Sequence, residues 1–253
     1  MAQYDASDNA SAEQSLSPQA SRLREALLEL VHGLPEKGSR RLPSERQMML
    51  AFSTTRITLR EALGQLENAG RIYRESRRGW FAAAPRLRYE LLAGLPFHEM
   101  VESQQRQAMT HLLSAETVAA SRGISQRLGL PESAPVYRIV RARAIDGRRV
   151  LYVEHHLRPD CFPGILSFDL EGMSLTALYR QEYAIRISRV DYELGSTVFG
   201  GPAGEALYAA PGTPAQRITR VNRDQNGRIV DCDDEYWRHD AIELTLSAVP
   251  RPG

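Results

Sequence analysis

Arg56 and Arg60 stand four residues apart in Thr55-Arg56-Ile57-Thr58-Leu59-Arg60. On a helix both guanidinium forks leave one face and can meet phosphate oxygens or a guanine edge in a major groove. Arg141 and Arg143 have the spacing of a strand instead, two residues apart, so they also share a face. Joined by backbone N–H groups at a helix N-terminus, such a pair makes a strong dianion site. Its commoner fate is to face solvent on the open side of a sheet. His155, His156 and His239 invite a metal reading, but adjacent histidines on a strand point to opposite faces, which suits a structural pair better than a chelate. No Ser/His/Asp order, metal-ligand spacing, Gly-rich phosphate loop or divergent carboxylate pair is present, so an enzyme has no candidate machinery and no cofactor is expected.

The first arginine pair must be positioned by helices, and their starts are written in the chain. In Leu42-Pro43-Ser44-Glu45-Arg46-Gln47-Met48, Ser44 can cap, Gln47 can reach back in a capping box and Leu42 can staple onto Met48. A short helix therefore begins at Glu45 and ends near Phe52. Ser53-Thr54-Thr55 then supplies a turn and the next cap. Ile57, Leu59, Ala62, Leu63, Leu66 and Ala69 are expected to form the buried stripe of the second helix, leaving Thr55, Arg56, Thr58 and Arg60 outside it. Gly70 ends that helix. Ile72-Tyr73-Arg74 and Trp80-Phe81-Ala82 read as two short strands around a basic tip carrying Arg77, Arg78 and Gly79. An earlier helix from Pro18, with Leu23, Ala26, Leu27, Leu30 and Val31 on one side and Gly33 at its end, completes three helices and a wing.

Charge is segregated in the same way. From Lys37 to Arg86 there are eleven Lys/Arg and four Asp/Glu, 11 − 4 = +7, inside a chain of formal net charge +1. That is the footprint of a nucleic-acid module. At 253 residues with 42% hydrophobic and 25% charged residues, the chain suits a globular protein of two domains. Residues 1–17 are polar and aperiodic and are expected to be a disordered tail. Neither a bilayer-length apolar run nor a signal core is found, so a cytoplasmic location is expected. The two cysteines, Cys161 and Cys232, are expected as unpaired core or half-exposed residues. The expected organisation is 18–84 as a winged helix-turn-helix, 85–95 as a linker and 96–250 as a second domain.

That second region mixes signals. Val136–Ile145 and Val150–His156 flank the turn Asp146-Gly147, and Ala215–Asp224 and Arg228–Trp237 flank Gln225-Asn226-Gly227, predicting two β-hairpins. Helices are expected over Val118–Leu128, Ser174–Glu182 and Pro202–Tyr208. The fold class is α+β.

Leu42-Pro43-Ser44-Glu45-Arg46, Phe52–Leu63 and Arg78-Gly79-Trp80-Phe81 resemble the N-terminal domain of the GntR family of bacterial repressors. Phe97-His98, Arg141-x-Arg143, Glu154 and Tyr236-Trp237-Arg238-His239-Asp240 resemble the UTRA ligand domain of its HutC subfamily, a chorismate-lyase-like fold, and the likeness covers essentially everything after Pro18. Within that subfamily, Thr54–Thr58, Arg77–Phe81 and Glu235–Asp240 are most similar to regulators of phosphonate utilisation.

The resemblance implies DNA contacts at Arg46, Thr55, Arg56, Thr58 and Arg60, and a wing glycine at Gly79 beside the basic Arg77 and Arg78. Ser53 and Arg77 stand where the family often has glycine. It further implies a phosphate corner at Phe97, His98, Arg141, Arg143, Ser174 and Thr176, and an acidic end at Glu154 and Asp231 with Tyr236 close by. Carboxylates there would hold an ammonium group, so 2-aminoethylphosphonate would satisfy both ends. Asp233 and Asp234 are read as an exposed acidic face. The implied protein is a homodimeric repressor that reads a palindromic double-stranded operator and releases it on binding an effector. A sensor of a sugar phosphate or a urocanate-like acid is the alternative within regulation, and a chorismate-lyase-like enzyme the alternative outside it.

Overall fold

The computed structural model describes residues 18–35 and 40–247, and it divides between Ala84 and Pro85 into two compact units. The polar stretch 1–17 expected to be disordered lies outside the described residues, as do Lys37 and residues 248–250.

The first unit holds α1 (Pro18–His32), α2 (Glu45–Ala51), α3 (Arg56–Asn68) and a hairpin of β1 (Ile72–Glu75) and β2 (Gly79–Ala82). Its helix starts follow from local chemistry. The Ser44 hydroxyl accepts the Gln47 N–H while Gln47 Oε1 accepts the Ser44 N–H at 2.9 Å, closing the capping box, and the Thr55 hydroxyl accepts from the Thr58 N–H. Gly70 takes φ +66° just past α3, a conformation that needs no Cβ. Leu23, Leu27 and Val31 of α1 pack with Met48 of α2, Leu59, Ala62, Leu63 and Leu66 of α3, and Ile72, Trp80 and Ala82 of the hairpin.

Two members of the expected stripe are elsewhere: Ala69 is exposed just past the end of α3, and Ile57 lies off the buried face. Ile57 is 82% exposed. At about 100° per residue it lies roughly half a turn around the helix from Leu59, Leu63 and Leu66, so its spacing from them was never that of one face. Ser53 and Arg77, where the resemblance places glycine, both adopt left-handed backbone, φ +47° and +61°.

The second unit is built on a six-stranded antiparallel sheet. Its strands are β4 (Ala108–Ala119), β5 (Pro135–Ile145), β6 (Arg148–Leu157), β7 (Ile187–Val198), β8 (Pro214–Asp224) and β9 (Ile229–Arg238), in the order β4-β5-β6-β9-β8-β7. β3 (Leu87–Glu90), inside the stretch read as a linker, pairs in parallel with β10 (Ile242–Thr245). The helices are α4 (Phe97–Glu102), α5 (Arg122–Leu128), α6 (Leu175–Tyr183) and α7 (Gly201–Ala206).

The helix expected from Val118 starts later, because Val118 pairs with Val136 in β4 and Ser121 caps a shorter helix by accepting the Ile124 N–H. One sheet face carries an apolar cluster at each end. The first joins Leu87, Phe97, Met100, Val153 and Trp237, and the second joins Ile139, Leu157, Phe162, Leu175 and Tyr179. On the other face, Val140, Ala142 and Tyr152 pack with Leu207, while Val136 and Cys232 pack with Ile124 and Leu128 of α5. Both cysteines are buried thiols. Among the described residues no helix is long and apolar enough to cross a membrane.

Register decides which side chains share a face. Next to the Asp146-Gly147 turn, Ile145 pairs with Arg148 and Ala144 with Arg149, but an irregularity between Arg143 and Ala144 then sets Arg143 opposite Leu151 and Arg141 opposite Val153. A one-residue bulge has flipped β6 relative to the uninterrupted ladder.

Candidate functional site

In the first unit the exposed start of α3 presents Arg56 and Arg60, and Arg46 is exposed on α2. Glu45 links the two helices. Its Oε2 accepts from Arg60 Nε at 3.1 Å and lies 3.7 Å from Arg56 Nε, while its Oε1 accepts from Trp80 Nε1 at 3.3 Å. One carboxylate thus aims two guanidinium groups and ties the hairpin to them. Burial favours the protonated form of Glu45, but these N–H donors and the Arg60 charge outweigh it and lower its pKa. Thr55 and Thr58 share a hydroxyl hydrogen bond of 2.9 Å at the helix start. On the wing, Arg78 NH1 donates to the buried Glu75 carboxylate at 2.6 Å, and Gly79 takes φ +104°, where any side chain would be strained. A groove between the α2 start and the wing is lined by Arg41, Arg74, Arg77 and Arg78. Arg41 and Arg74 extend the basic surface beyond the residues read from the sequence. The local charge excess was the signal that could have found them.

In the second unit the sheet face between the two apolar clusters is polar, and a cleft of about 830 Å³, mouth included, opens over it. Phe97, Arg141, Arg143, Ser174, Thr176 and Asp231 all line it, so six expected site residues from distant segments meet there. Arg143 stacks over the Phe97 ring at 5.0 Å, and the Ser174 hydroxyl caps α6 by accepting the Ala177 N–H. His98, half-buried and edge-on to Phe97 at 5.6 Å, has its pKa lowered by burial and by the Arg143 charge.

Glu154 and Tyr236 are not in the cleft. The bulge puts Glu154 opposite Val140 and Tyr236 opposite Tyr152, on the reverse face, where Glu154 accepts from the Tyr152 hydroxyl at 2.8 Å and from Arg138 Nε at 3.2 Å. The acidic wall is instead Asp231, Asp233 and Glu235, alternate residues of β9. Asp233 and Asp234, expected on an exposed face, are both buried, because β8 sets an arginine against each of them. Arg220 Nε donates to Asp233 at 3.0 Å and Arg217 NH2 to Asp234 at 2.7 Å.

The protonation of this wall follows from its hydrogen bonds. Arg141 NH2, which can only donate, lies 2.9 Å from His155 Nε2, so that nitrogen accepts and Nδ1 carries the proton it donates to Asp233 Oδ1 at 2.5 Å. Burial and the Arg141 charge push the histidine down to about 3 against the pull of Asp233, so His155 is neutral. Burial also opposes the charge on Asp233, yet Arg220 and the His155 N–H hold it well below the usual carboxylate range. Asp231 goes the other way. Burial and the adjacent Asp233 charge raise it to about 8, with its Oδ2 accepting from the Tyr179 hydroxyl at 3.0 Å. Its carboxyl therefore favours the protonated form.

Arg220 is held charged by Glu235 and Asp233 despite its burial. Arg141 and Arg143 form no ion pair among the described residues, and both have a buried Nε without an acceptor. Burial lowers both, Arg143 to about 10, and each is pressed further by a neighbouring guanidinium. His155, Asp231 and Asp233 place ligand atoms within 4.8 Å of one another, but both His155 nitrogens are engaged and Arg141 stands against it. The chemistry favours an anion.

The family models match the chain in two places. The model described as bacterial regulatory proteins, gntR family, matches residues 19–82, and the UTRA domain model matches residues 103–243, more than half of the chain. The chain belongs to the GntR-family regulators that carry a UTRA domain. Two relatives span nearly the same architecture. The HTH-type transcriptional regulator YihL of Escherichia coli K12 is 29% identical over 219 residues, 86% of this chain and 92% of that one. The probable fructoselysine utilization operon transcriptional repressor of the same strain is 23% identical over 226 residues, 88% and 92% of the two chains. The crystal structure of PhnF from Mycobacterium smegmatis superposes with a TM-score of 0.63 at 26% identity, covering 90% of this chain and all of that one. This GntR/UTRA protein is therefore a ligand-responsive transcriptional regulator and not an enzyme: its GntR module binds operator DNA and its UTRA domain binds a small-molecule effector.

Proposed function

We propose that this regulator is a homodimeric repressor of the HutC type that senses an aminophosphonate such as 2-aminoethylphosphonate and releases a palindromic operator when it binds. The observation that carries the effector reading is the pair of Arg141, buried with its NH1 on the Met173 carbonyl just before α6, and the half-buried Arg143 over Phe97, neither with an ion-pair partner among the described residues. A phosphonate dianion supplies the missing acceptors and also meets the Leu175 and Thr176 N–H groups, which the Ser174 cap does not use. Across the cleft, Arg220 already pairs with both Asp233 and Glu235, whereas Asp231 has no ion-pair partner among the described residues and is left for the effector's other end. An ammonium group there stabilises the ionised carboxylate, exchanging charge for the proton that Asp231 holds when the cleft is empty. The resemblance of Thr54–Thr58 and Arg77–Phe81 to phosphonate-utilisation regulators supports the same reading. Arg46, Thr55, Arg56, Thr58, Arg60 and the wing residues Arg77, Arg78 and Gly79 contact the operator. Release requires that the effector bind the released arrangement of the dimer more tightly.

The experiment is thermal melting of the full chain with 2-aminoethylphosphonate, phosphate, urocanate, sugar phosphates and fructoselysine. The last is included because of the relative named for its utilization. At a hundredfold excess over its dissociation constant an effector adds about 2.7 kcal/mol of stability. Stabilisation by the aminophosphonate in the native chain but not in Arg143→Ala, which still binds operator, is the expected result. An Arg143→Ala protein that responds normally overturns the pocket, and stabilisation by urocanate or a sugar phosphate alone overturns the effector.

A further inference from the structure

Among the large apolar side chains left exposed, Ile57 has an unusual setting. It is the second residue of α3, 82% exposed, with Arg56 before it and Arg60 three positions on. Single exposed apolar residues are ordinary on protein surfaces. This one, however, lies within the surface that Glu45 organises, since both flanking arginines converge on that carboxylate. Gly64, two turns further along, is on the same side of the helix as Ile57, and a Cβ added there would meet nothing within 4 Å. The outward side of α3 therefore carries Ile57 beside Arg56 and Arg60, the exposed Glu61 one turn further on, and an open stretch at Gly64.

We propose that Ile57 reads a thymine in the operator by packing on its C5-methyl group, and so acts as a specificity-determining residue of the DNA contact. The partner follows from the chemistry of the groove. A duplex presents donors and acceptors along the major-groove edge of every base pair, and the thymine methyl is the one apolar group on that edge. Ile57 has no donor or acceptor and gains nothing from the other edges. A reading helix places its N-terminal residues against base edges, which is where Ile57 sits. Arg56 and Arg60 supply the charge complementarity that brings the groove to it.

This inference rests on α3 being the reading helix, and the test separates the two. A duplex is selected from a random-sequence pool with the full-length wild-type chain, and each of its thymines is replaced in turn by deoxyuridine, which removes the methyl group and leaves the hydrogen-bonding edge intact. Affinities are then measured for wild type, Ile57→Val, Ile57→Ala and Arg60→Ala. At one position per half-site, wild type and Ile57→Val are expected to lose about fourfold on removal of the methyl, the value for one buried methyl-sized group. Ile57→Ala is expected to bind thymine and deoxyuridine duplexes alike, with an unchanged salt dependence. A deoxyuridine effect equal in wild type and Ile57→Ala, or absent from every position, overturns the proposal. If Arg60→Ala also binds as wild type does, the assignment of α3 falls with it.

Discussion

Asp231 makes the stability of the UTRA domain depend on pH in a direction opposite to that of ordinary paired carboxylates. Its pKa is raised from 3.8 to about 8 by burial and by the Asp233 charge. Between those values the folded chain holds a proton on Asp231 that the unfolded chain has lost, so stability falls as pH rises, by about 1.4 kcal/mol per pH unit. Below about pH 4 and above about pH 8 the contribution is flat. Asp231→Asn removes it, and the amide oxygen can still accept the Tyr179 hydroxyl that Asp231 now accepts. Relative to wild type the variant is expected to gain stability steadily from pH 5 to pH 7, on the order of 2–3 kcal/mol. The measurement is urea unfolding at pH 5, 6, 7 and 8. With two tryptophans in the chain, a Trp80→Phe background leaves Trp237, buried beside the cleft, as the reporter. Buried histidines such as His155 titrate in both proteins, so the difference isolates Asp231. If the two stability profiles run parallel from pH 5 to pH 8, Asp231 is ionised in the folded chain and the cleft has no proton to exchange for an ammonium group.

Ser44→Ala breaks the capping box and is expected to lower the stability of the first unit by about 1 kcal/mol, seen as an earlier urea midpoint with Trp80 as reporter in a Trp237→Phe background. Glu45→Gln frees Arg56 and Arg60 from their shared carboxylate. Binding to a random duplex should tighten and its salt dependence steepen by about one counterion, while preference for the selected duplex narrows; fluorescence anisotropy against salt that shows neither change would refute the orienting role of Glu45.

Much of the first unit was legible because its signals are local. Ser44, Gln47, Thr55 and Gly70 act on residues a few positions away, and the structure shows each bond or backbone conformation they imply. Ile57 was misplaced because it is apolar and adjacent to a true stripe, although it is out of phase with Leu59 and Leu63. In the second unit the hairpins announced themselves through Asp-Gly and Asn-Gly turns, whereas β4 and β7, the edge strands, have irregular burial patterns and no tight turn between them and a partner. Arg141 and Arg143 were legible as a pair, while Asp231 was placed in the cleft only by the family resemblance, which placed Glu154 there as well. Arg220, Asp233 and Glu235 were not, because what buries them is cross-strand neutralisation that exists only once β8 and β9 are in register.

The bulge between Arg143 and Ala144 has a consequence for how such effector domains diversify. Without it, the pairing next to the turn would continue, Arg141 would face Tyr152 across the ladder, and Glu154 would join the arginines while His155 left them. A single inserted or deleted residue in this hairpin therefore exchanges a histidine for a carboxylate in the cleft, with every lining amino acid still present in the chain. Effector preference can change through the indexing of a strand as well as through substitution. Two relatives with the same residue letters in this hairpin can then present different chemistry to their effectors, and a comparison that ignores one-residue gaps will group them together.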